Sequence, residues 1–285
     1  MNTNNVLILS GTAIVVALIG LRAADSFTTG MNPVSGNYHS VADSYKGSGC
    51  NIGYVSLSGE MVTTSLGSSD SQDATSDSVY VSADEVTSEI RSLVHDDSIK
   101  GIVIAIDSGG GDPVAGEEIE QALKVAHKPT VALIRSQGDS AAYMAASGAD
   151  TIYASAFSEV GSIGVTASYI DASKQNQKQG ITYNQLSTGP YKDMFSPDKP
   201  MTDEEKSLVQ RQLQKYLGHF VDIVSANRHI DRDAVLKLAD GSAFTADDAL
   251  QNGLIDNIGS IDDVRTHLSS IIKDKAVVCG IDTFE

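Results

Sequence analysis

Ser140 is the residue of this chain best suited to act as a nucleophile. The apolar run Thr130–Ile134 predicts a buried strand, and a helix of small residues, Ser140–Gly148, begins shortly after it. A serine in the first turn of a helix lies beside free backbone N–H groups, which can stabilise the charge on a carbonyl oxygen under attack. The same position also suits a serine that only caps the helix, so Ser140 predicts catalysis only together with a base.

The base that the sequence offers to Ser140 is a lysine. None of the six histidines lies between Ser140 and His219, so a Ser-His-Asp triad lacks a histidine near the serine in sequence. Lys192 follows a Gly-Pro pair in a loop ahead of a long predicted helix. A lysine whose pKa is lowered by burial can accept the proton of a serine. A solvated surface lysine is the alternative.

A glycine-rich turn, Asp107–Pro113, supplies candidate hydrogen-bond donors. It follows the apolar run Ile102–Ile106, and its glycines allow backbone N–H groups to approach an anionic atom without a Cβ in the way. The turn has neither the G-x-G-x-x-G spacing of dinucleotide sites nor the Gly-Lys-Ser/Thr of phosphate loops. It therefore favours an oxyanion site over a nucleotide loop. A tight strand-to-helix turn without a functional role is the alternative.

The elements around these residues predict an α/β fold with a parallel sheet, because continuous apolar runs alternate with runs of helical spacing. The predicted strands are Ile52–Leu57, Gly101–Ile106, Thr130–Ile134, Thr151–Ala154 and Ile181–Leu186. The predicted helices are one that begins at Ser82, Val114–Ala126, Ser140–Gly148, a long amphipathic helix Thr202–Asn227, Arg232–Leu238, Ala246–Gln251 and Ile261–Ile272. The glycine-rich turn thus follows a strand end, where parallel sheets bind ligands.

Residues 1–24 predict a membrane anchor. The uncharged run Val6–Leu21 has a length between that of a signal peptide core and a short spanning helix. The lack of a cation before it, and Arg22 where a cleavage site should have small residues, favour an uncleaved single-pass segment. Residues 25–50 predict a flexible tether, and residues 51–285 predict the globular domain, which we expect on the exported side of the membrane.

Composition excludes nucleic acid as a partner, because the net charge is −17 and no run of Lys or Arg is present. Cys50 and Cys279 match no metal or redox spacing. We expect two isolated thiols, although the two could pair in an oxidising compartment. The polar stretch Ser65–Ser78 predicts a mobile loop.

Five segments between Gly101 and Gly259 occur in the order found in one peptidase family. They are Asp107-Ser-Gly-Gly-Gly111, Ser140-Ala-Ala-Tyr143 with Ala149-Asp150, Gly161-Ser-Ile-Gly-Val165, Tyr191-Lys-Asp193 with Ser196-Pro197, and Asp240-Gly-Ser-Ala-Phe-Thr245 with Ala249–Gly259. Together they resemble the signal peptide peptidase A family. The resemblance implies a Clp protease/crotonase-like core of repeated ββα units, here as a single repeat.

The resemblance also implies roles for individual residues. Ser140 would attack the scissile carbonyl, Lys192 would accept its proton, and Ser162 would hydrogen-bond the lysine and orient it. The N–H of Gly110 or Gly111 would hold the oxyanion.

The N–H of Ala141 would complete that oxyanion site. Ala141 and Ala142 stand where the family has paired glycines, so we expect their methyl groups to narrow the substrate groove.

The function implied is hydrolysis of hydrophobic or signal-peptide-like polypeptides without metal, nucleotide or other cofactor. Single-repeat members form homo-oligomeric rings in which neighbouring subunits supply the serine and the lysine. Alternatives are a catalytically silent scaffold that binds peptides, and a capsid-maturation or stomatin-clipping peptidase. A crotonase-like acyl-CoA enzyme would not need the pair Ser140 and Lys192.

Overall fold

The computed structural model describes residues 49–64 and 79–281, which fall into two units. Unit 1 is Thr166–Gln214, and unit 2 comprises the described residues before and after it. The predicted anchor, nearly all of the tether and the loop Ser65–Ser78 lie outside the described residues. No helix in the described ranges is long and apolar enough to cross a membrane.

Strands and helices alternate along unit 2. In chain order the elements of the two units are β1 (Ile52–Ser58), β2 (Glu60–Val62), β3 (Tyr80–Ser82), α1 (Ala83–His95), β4 (Gly101–Ser108), α2 (Pro113–Lys124), β5 (Thr130–Asp139), α3 (Ala141–Ser147), β6 (Thr151–Ala154), β7 (Glu159–Gly161), α4 (Ser173–Lys178), α5 (Asp203–Arg228), α6 (Arg232–Leu238), β8 (Ala243–Thr245), α7 (Ala246–Gln251), β9 (Asn257–Ile258) and α8 (Ile261–Ile272). Helix α4 belongs to unit 1, and α5 begins in unit 1 and ends in unit 2.

The main sheet of unit 2 runs in the order β1-β4-β5-β6-β9, and all these pairs are parallel. Strand β5 changes its partner along its length, because Val131–Ile134 pair with β6 and Gln137–Asp139 pair with β7. Strand β7 in turn pairs with β8 in the antiparallel direction. The predicted α/β fold with a parallel sheet is confirmed.

Helices cover both faces of this sheet, which explains why its strands are apolar on both sides. One face packs Ile102, Ile104 and Ile106 of β4 against a large cluster that includes buried residues of α1, α2 and α3. The opposite face packs Val103 and neighbours on β5 against a smaller cluster that includes α8. The core therefore holds the carboxyl ends of the central strands rigidly in place.

The predicted strand Ile181–Leu186 is wrong, because these residues form no strand. Ile181 is 54% exposed and Leu186 is 97% exposed. Within unit 1 only Met201 and Glu205 are buried, so this apolar run has no sheet to join. The long helix predicted after it is confirmed.

The expectation of two isolated thiols is also wrong, because Cys50 and Cys279 form a disulfide with their Cα atoms 5.2 Å apart. The reason is the tertiary position of the carboxyl-terminal segment, in which Val278 forms a parallel bridge with Ile52. The side chain of Asn51 accepts a hydrogen bond from the N–H of Val277 at 2.9 Å. The two ends of unit 2 thus lie side by side.

Removal of this disulfide should destabilise unit 2, because the bond closes a loop across a sequence separation of 229. We expect Cys50→Ala/Cys279→Ala to lose about 2–5 kcal/mol of unfolding free energy, measured by urea unfolding. Dithiothreitol should destabilise the wild type by a similar amount and leave the double variant unchanged. An unchanged unfolding midpoint in the variant would contradict the pairing.

Glu89 should make the stability of unit 2 depend on pH. It is half-buried on α1, and burial raises its pKa to about 7. Since the folded state then binds the proton more tightly than the unfolded state, stability is lost as the pH rises from about 4.5 to about 7. We expect Glu89→Gln to be more stable than wild type by about 1–3 kcal/mol at pH 8 and equal to it at pH 4.

The matched control for Glu89 is Glu118→Gln on α2, since Glu118 is exposed. This variant should follow the wild-type dependence on pH in the same urea titrations. A Glu89→Gln variant that follows it as well would contradict the assignment.

Candidate active site

Three neighbouring strands end at the candidate site. Strand β5 pairs with β4 on one side and with β7 on the other, and all three run in the same direction. The glycine-rich turn follows β4, Ser140 follows β5, and Ser162 follows β7. Since Asp139 is the register partner of Gly161, the two serines directly follow paired residues. The parallel sheet brings together residues that are far apart in sequence.

Ser140 has a strained backbone. Its φ of 52° and ψ of −122° lie in a region that residues with a Cβ rarely adopt. Its N–H donates to the carbonyl of Gly161 at 2.7 Å, which holds the turn between β5 and α3. Its side chain makes no capping hydrogen bond, so the alternative of a plain helix cap is not observed. Strain of this kind is concentrated at functional residues.

The glycine-rich turn packs against the peptide that joins Ser140 to Ala141. A methyl group on Gly110 would lie 2.8 Å from the carbonyl oxygen of Asp139 and 2.9 Å from the amide nitrogen of Ala141. A methyl group on Gly111 would lie 2.3 Å from the carbonyl oxygen of Met61. Both glycines also have positive φ, so neither position accepts a side chain without movement.

The two glycine N–H groups differ in their partners. The N–H of Gly110 donates to Ser108 Oγ at 3.0 Å, and that hydroxyl donates to the carbonyl of Gly59 at 2.6 Å. No acceptor for the N–H of Gly111 or of Ala141 is found among the described residues. The pair Gly111 and Ala141 is therefore better suited than Gly110 to receive an oxyanion.

Ser162 is also held in an unusual conformation, with φ of 46°. Its N–H donates to the carbonyl of Ser242 at 3.1 Å, and its hydroxyl donates to the carbonyl of Gly241 at 3.0 Å. Because a hydroxyl has a single proton, Ser162 Oγ can only accept from any further partner.

The methyl groups of Ala141 and Ala142 do not narrow an open groove, because both residues are buried. The Cβ of Ala141 packs against α2 at Gly116, where an added methyl group would lie 3.1 Å from it. The expectation drawn from these two alanines is wrong, and the reason is that their side chains point into the core.

Lys192 lies in unit 1, whereas Ser140, Ser162, Ala141 and the two glycines lie in unit 2. The lysine is exposed within this chain rather than buried. Its backbone N–H donates to the carbonyl of Gly189 at 3.3 Å, in a turn after Pro190. The adjacent Asp193 accepts a hydrogen bond from Tyr183, and this bond raises the pKa of the tyrosine. The lysine turn thus has its own anchor within unit 1.

Two residues next to the site were missed by the sequence analysis. Asp139 directly precedes Ser140, and its Oδ1 is buried with no hydrogen-bond partner found in the described residues. Burial, and secondarily the charge of Glu159, raise the pKa of this carboxyl. The Tyr143 hydroxyl donates to the carbonyl of Leu254 at 2.9 Å and anchors α3. Tyr143 lies in the family-like segment Ser140–Tyr143, whereas Asp139 lies in none of the five segments, so no sequence pattern indicated a role for it.

In the described part of the chain, no group of three or more His, Cys, Asp or Glu residues is placed so that it could hold a metal ion.

Comparison with known proteins identifies relatives of this chain. The family model "Peptidase family S49" matches residues 122–274. A candidate protease of Methanocaldococcus jannaschii is 35% identical over 181 residues, which cover 63% of this chain and 58% of that protein. A candidate signal peptide peptidase SppA of Enterococcus faecium is 30% identical over 190 residues, covering 66% of this chain and 54% of that protein.

A third relative and a solved structure are more distant. The chloroplastic serine protease SPPA of Arabidopsis thaliana is 29% identical over 197 residues, covering 68% of this chain and 28% of that protein. A mutant ClpP1 of Listeria monocytogenes is 12% identical with a TM-score of 0.48, covering 78% of this chain and 95% of that chain. The chain spans little more than half the length of the first two relatives.

Substitution of Ser140 should reveal the strain in its backbone. We expect Ser140→Gly to be more stable than Ser140→Ala by about 1–2 kcal/mol, because only glycine adopts this φ and ψ without cost. Urea unfolding of the full chain measures the difference. At Ala145, inside helix α3, the order should reverse, with Ala145→Gly less stable than the wild-type alanine by about 0.5–1 kcal/mol. Equal stability of the two Ser140 variants would contradict the strain.

Proposed function

Because the chain belongs to peptidase family S49, we propose that it is a serine endopeptidase with Ser140 and Lys192 as its catalytic dyad. The resemblance to signal peptide peptidase A is thereby confirmed at the level of the family. The observation that carries the proposal is the strained Ser140 at the shared carboxyl edge of β4, β5 and β7, against a glycine-rich turn. The parallel sheet covered on both faces also supports the Clp protease/crotonase-like core.

The reaction is an acyl transfer in two halves. Lys192 accepts the proton of Ser140 while Oγ attacks the scissile carbonyl, and the tetrahedral adduct collapses as the C–N bond breaks. The protonated lysine gives its proton to the amine nitrogen as this bond breaks, so the leaving group departs as a neutral amine. Water hydrolyses the acyl-enzyme by the same route in reverse, which regenerates the serine.

The oxyanion of the tetrahedral adduct has two donors in this proposal, the N–H groups of Gly111 and Ala141. Their lack of other acceptors among the described residues supports this choice, and the commitment of Gly110 to Ser108 speaks against the alternative glycine. Ser162 orients the lysine by accepting one of its N–H groups. The hydrogen bond from Ser162 Oγ to Gly241 supports this role, because it leaves only lone pairs free.

The substrates we propose are hydrophobic or signal-peptide-like polypeptides. The name of the Enterococcus faecium relative supports this class. The uncharged run Val6–Leu21 supports a single-pass membrane anchor that keeps the peptidase beside such substrates. The disulfide between Cys50 and Cys279 supports an exported location, because such bonds persist in oxidising compartments.

We further propose a homo-oligomeric ring with sites shared between neighbours. Unit 1 supports it, because this unit has one buried apolar residue, Met201, and exposes several large apolar ones. These exposed residues are Ile170, Ile181, Leu186 and Tyr191. A segment without its own core is stabilised when another subunit covers it.

The dyad is tested with the full chain in detergent and a hydrophobic fluorogenic peptide. We expect Ser140→Ala and Lys192→Ala each to lower kcat by at least about 10³-fold, as loss of a nucleophile or base does. The wild-type rate should rise with pH, because the base must be unprotonated. Lys174→Ala, which removes an exposed lysine of unit 1, should keep wild-type activity.

Mixing the two inactive variants tests the shared site. If neighbours supply the serine and the lysine, re-assembled mixtures of Ser140→Ala and Lys192→Ala subunits should recover about a quarter of wild-type activity, because half of the subunits supply each residue. No recovery would place both residues of a site in one subunit. A wild-type oligomer that binds the peptide without cleaving it would make the chain a peptide-binding scaffold.

A further inference from the structure

The turn Asp240–Ser242 is hydrogen-bonded to the segment that follows β7. The N–H of Gly241 donates to the carbonyl of Ile163 at 3.1 Å, and the carbonyl of Ser242 accepts from the N–H of Ser162. An added methyl group on Gly164 would lie 2.9 Å from the Cα of Gly241, so the two backbones are in close contact. These contacts hold the turn Asp240–Ser242 in place beside Ser162, although the turn and Ser162 are far apart in sequence.

The side chain of Asp240 holds this turn in shape. Its Oδ1 accepts from the N–H of Ser242 at 2.9 Å and from the Ser242 hydroxyl at 2.6 Å. These bonds lower the pKa of Asp240, so the carboxyl is ionised at neutral pH. Gly241, between the two residues, has φ of 87° and turns its carbonyl to the hydroxyl of Ser162. The Asp240 carboxylate thus fixes the position of the Gly241 carbonyl, which accepts the hydrogen bond of Ser162.

The direction of the bond from Ser162 decides whether a lysine can work as a base. A neutral lysine amine has N–H donors and one lone pair, and that lone pair must face the proton of Ser140. If the hydroxyl of Ser162 were free to rotate, it could donate to the lone pair and block it. Because its proton is bound to the carbonyl of Gly241, Ser162 can only accept from the amine.

We propose that Asp240 is a positioning residue for catalysis: by fixing the carbonyl of Gly241 it makes Ser162 an acceptor and keeps the lone pair of the base free. The inference rests on the proposed dyad, in which Lys192 is that base. In this proposal Asp240 acts only through Gly241 and Ser162.

The test is a double-mutant cycle with pH profiles of kcat, using the full chain and the same fluorogenic peptide. We expect Asp240→Ala to lower kcat about 3- to 10-fold, the effect of no longer fixing the one hydrogen bond from Ser162 to Gly241. The midpoint of its pH profile should move to lower pH, because a rotating Ser162 hydroxyl would stabilise the unprotonated base. In the Ser162→Ala background Asp240→Ala should have no further effect on kcat or on the midpoint.

Two further variants separate positioning from folding. Asp240→Asn keeps the Oδ1 acceptor and should recover most of the lost rate. Asp231→Ala removes another exposed aspartate, whose Oδ1 accepts from the N–H groups of Asp233 and Ala234, and it should leave kcat and the midpoint unchanged. Thermal unfolding of each variant shows that differences in rate do not reflect loss of folded protein.

Each outcome bears on a different claim. Additive effects of Ser162→Ala and Asp240→Ala, or an unshifted midpoint in Asp240→Ala, would overturn the positioning role and leave the dyad intact. If the wild type shows no turnover, or if its turnover does not depend on Ser140, the dyad is overturned and the positioning role with it.

Discussion

The hydrogen bond from the N–H of Ser140 to the carbonyl of Gly161, at 2.7 Å, is the interaction on which the rest of the site depends. It extends the parallel pairing of β5 with β7 by one step beyond Asp139 and Gly161. The bond thereby holds Ser140 in its strained conformation and sets Ser162 beside it. A sheet that is buried on both faces supplies the rigidity that such strain needs.

Close backbone contact is the second requirement of this architecture. Helix α3 starts directly after Ser140, and its first residue, Ala141, lies against Gly116 of α2. Gly148, at the other end of α3, lies against the backbone of Glu120, where an added methyl group would be 2.3 Å from its carbonyl oxygen. Two glycine contacts with α2 therefore set the position of the helix that follows the candidate nucleophile.

Local patterns in the sequence were sufficient for most of unit 2, because its strands and helices bury their apolar residues in a regular period. The strand predicted at Ile181–Leu186 failed because burial depends on partners that a local pattern does not contain. Strand β7 was missed because it has three residues and one buried valine. The bond between Ser162 and Gly241 joins residues 79 apart, so only the fold could show it.

The disulfide joins the first cysteine of the chain to the second across a separation of 229 residues, and the sequence contains no other cysteine. Synthesis runs from the amino terminus, so Cys50 has no partner among the cysteines of this sequence until Cys279 has also left the ribosome. Formation of this bond consequently shows that synthesis has passed Cys279. A truncated product that lacks Cys279 keeps a free thiol, and thiol-based quality control can distinguish it from a product that includes Cys279.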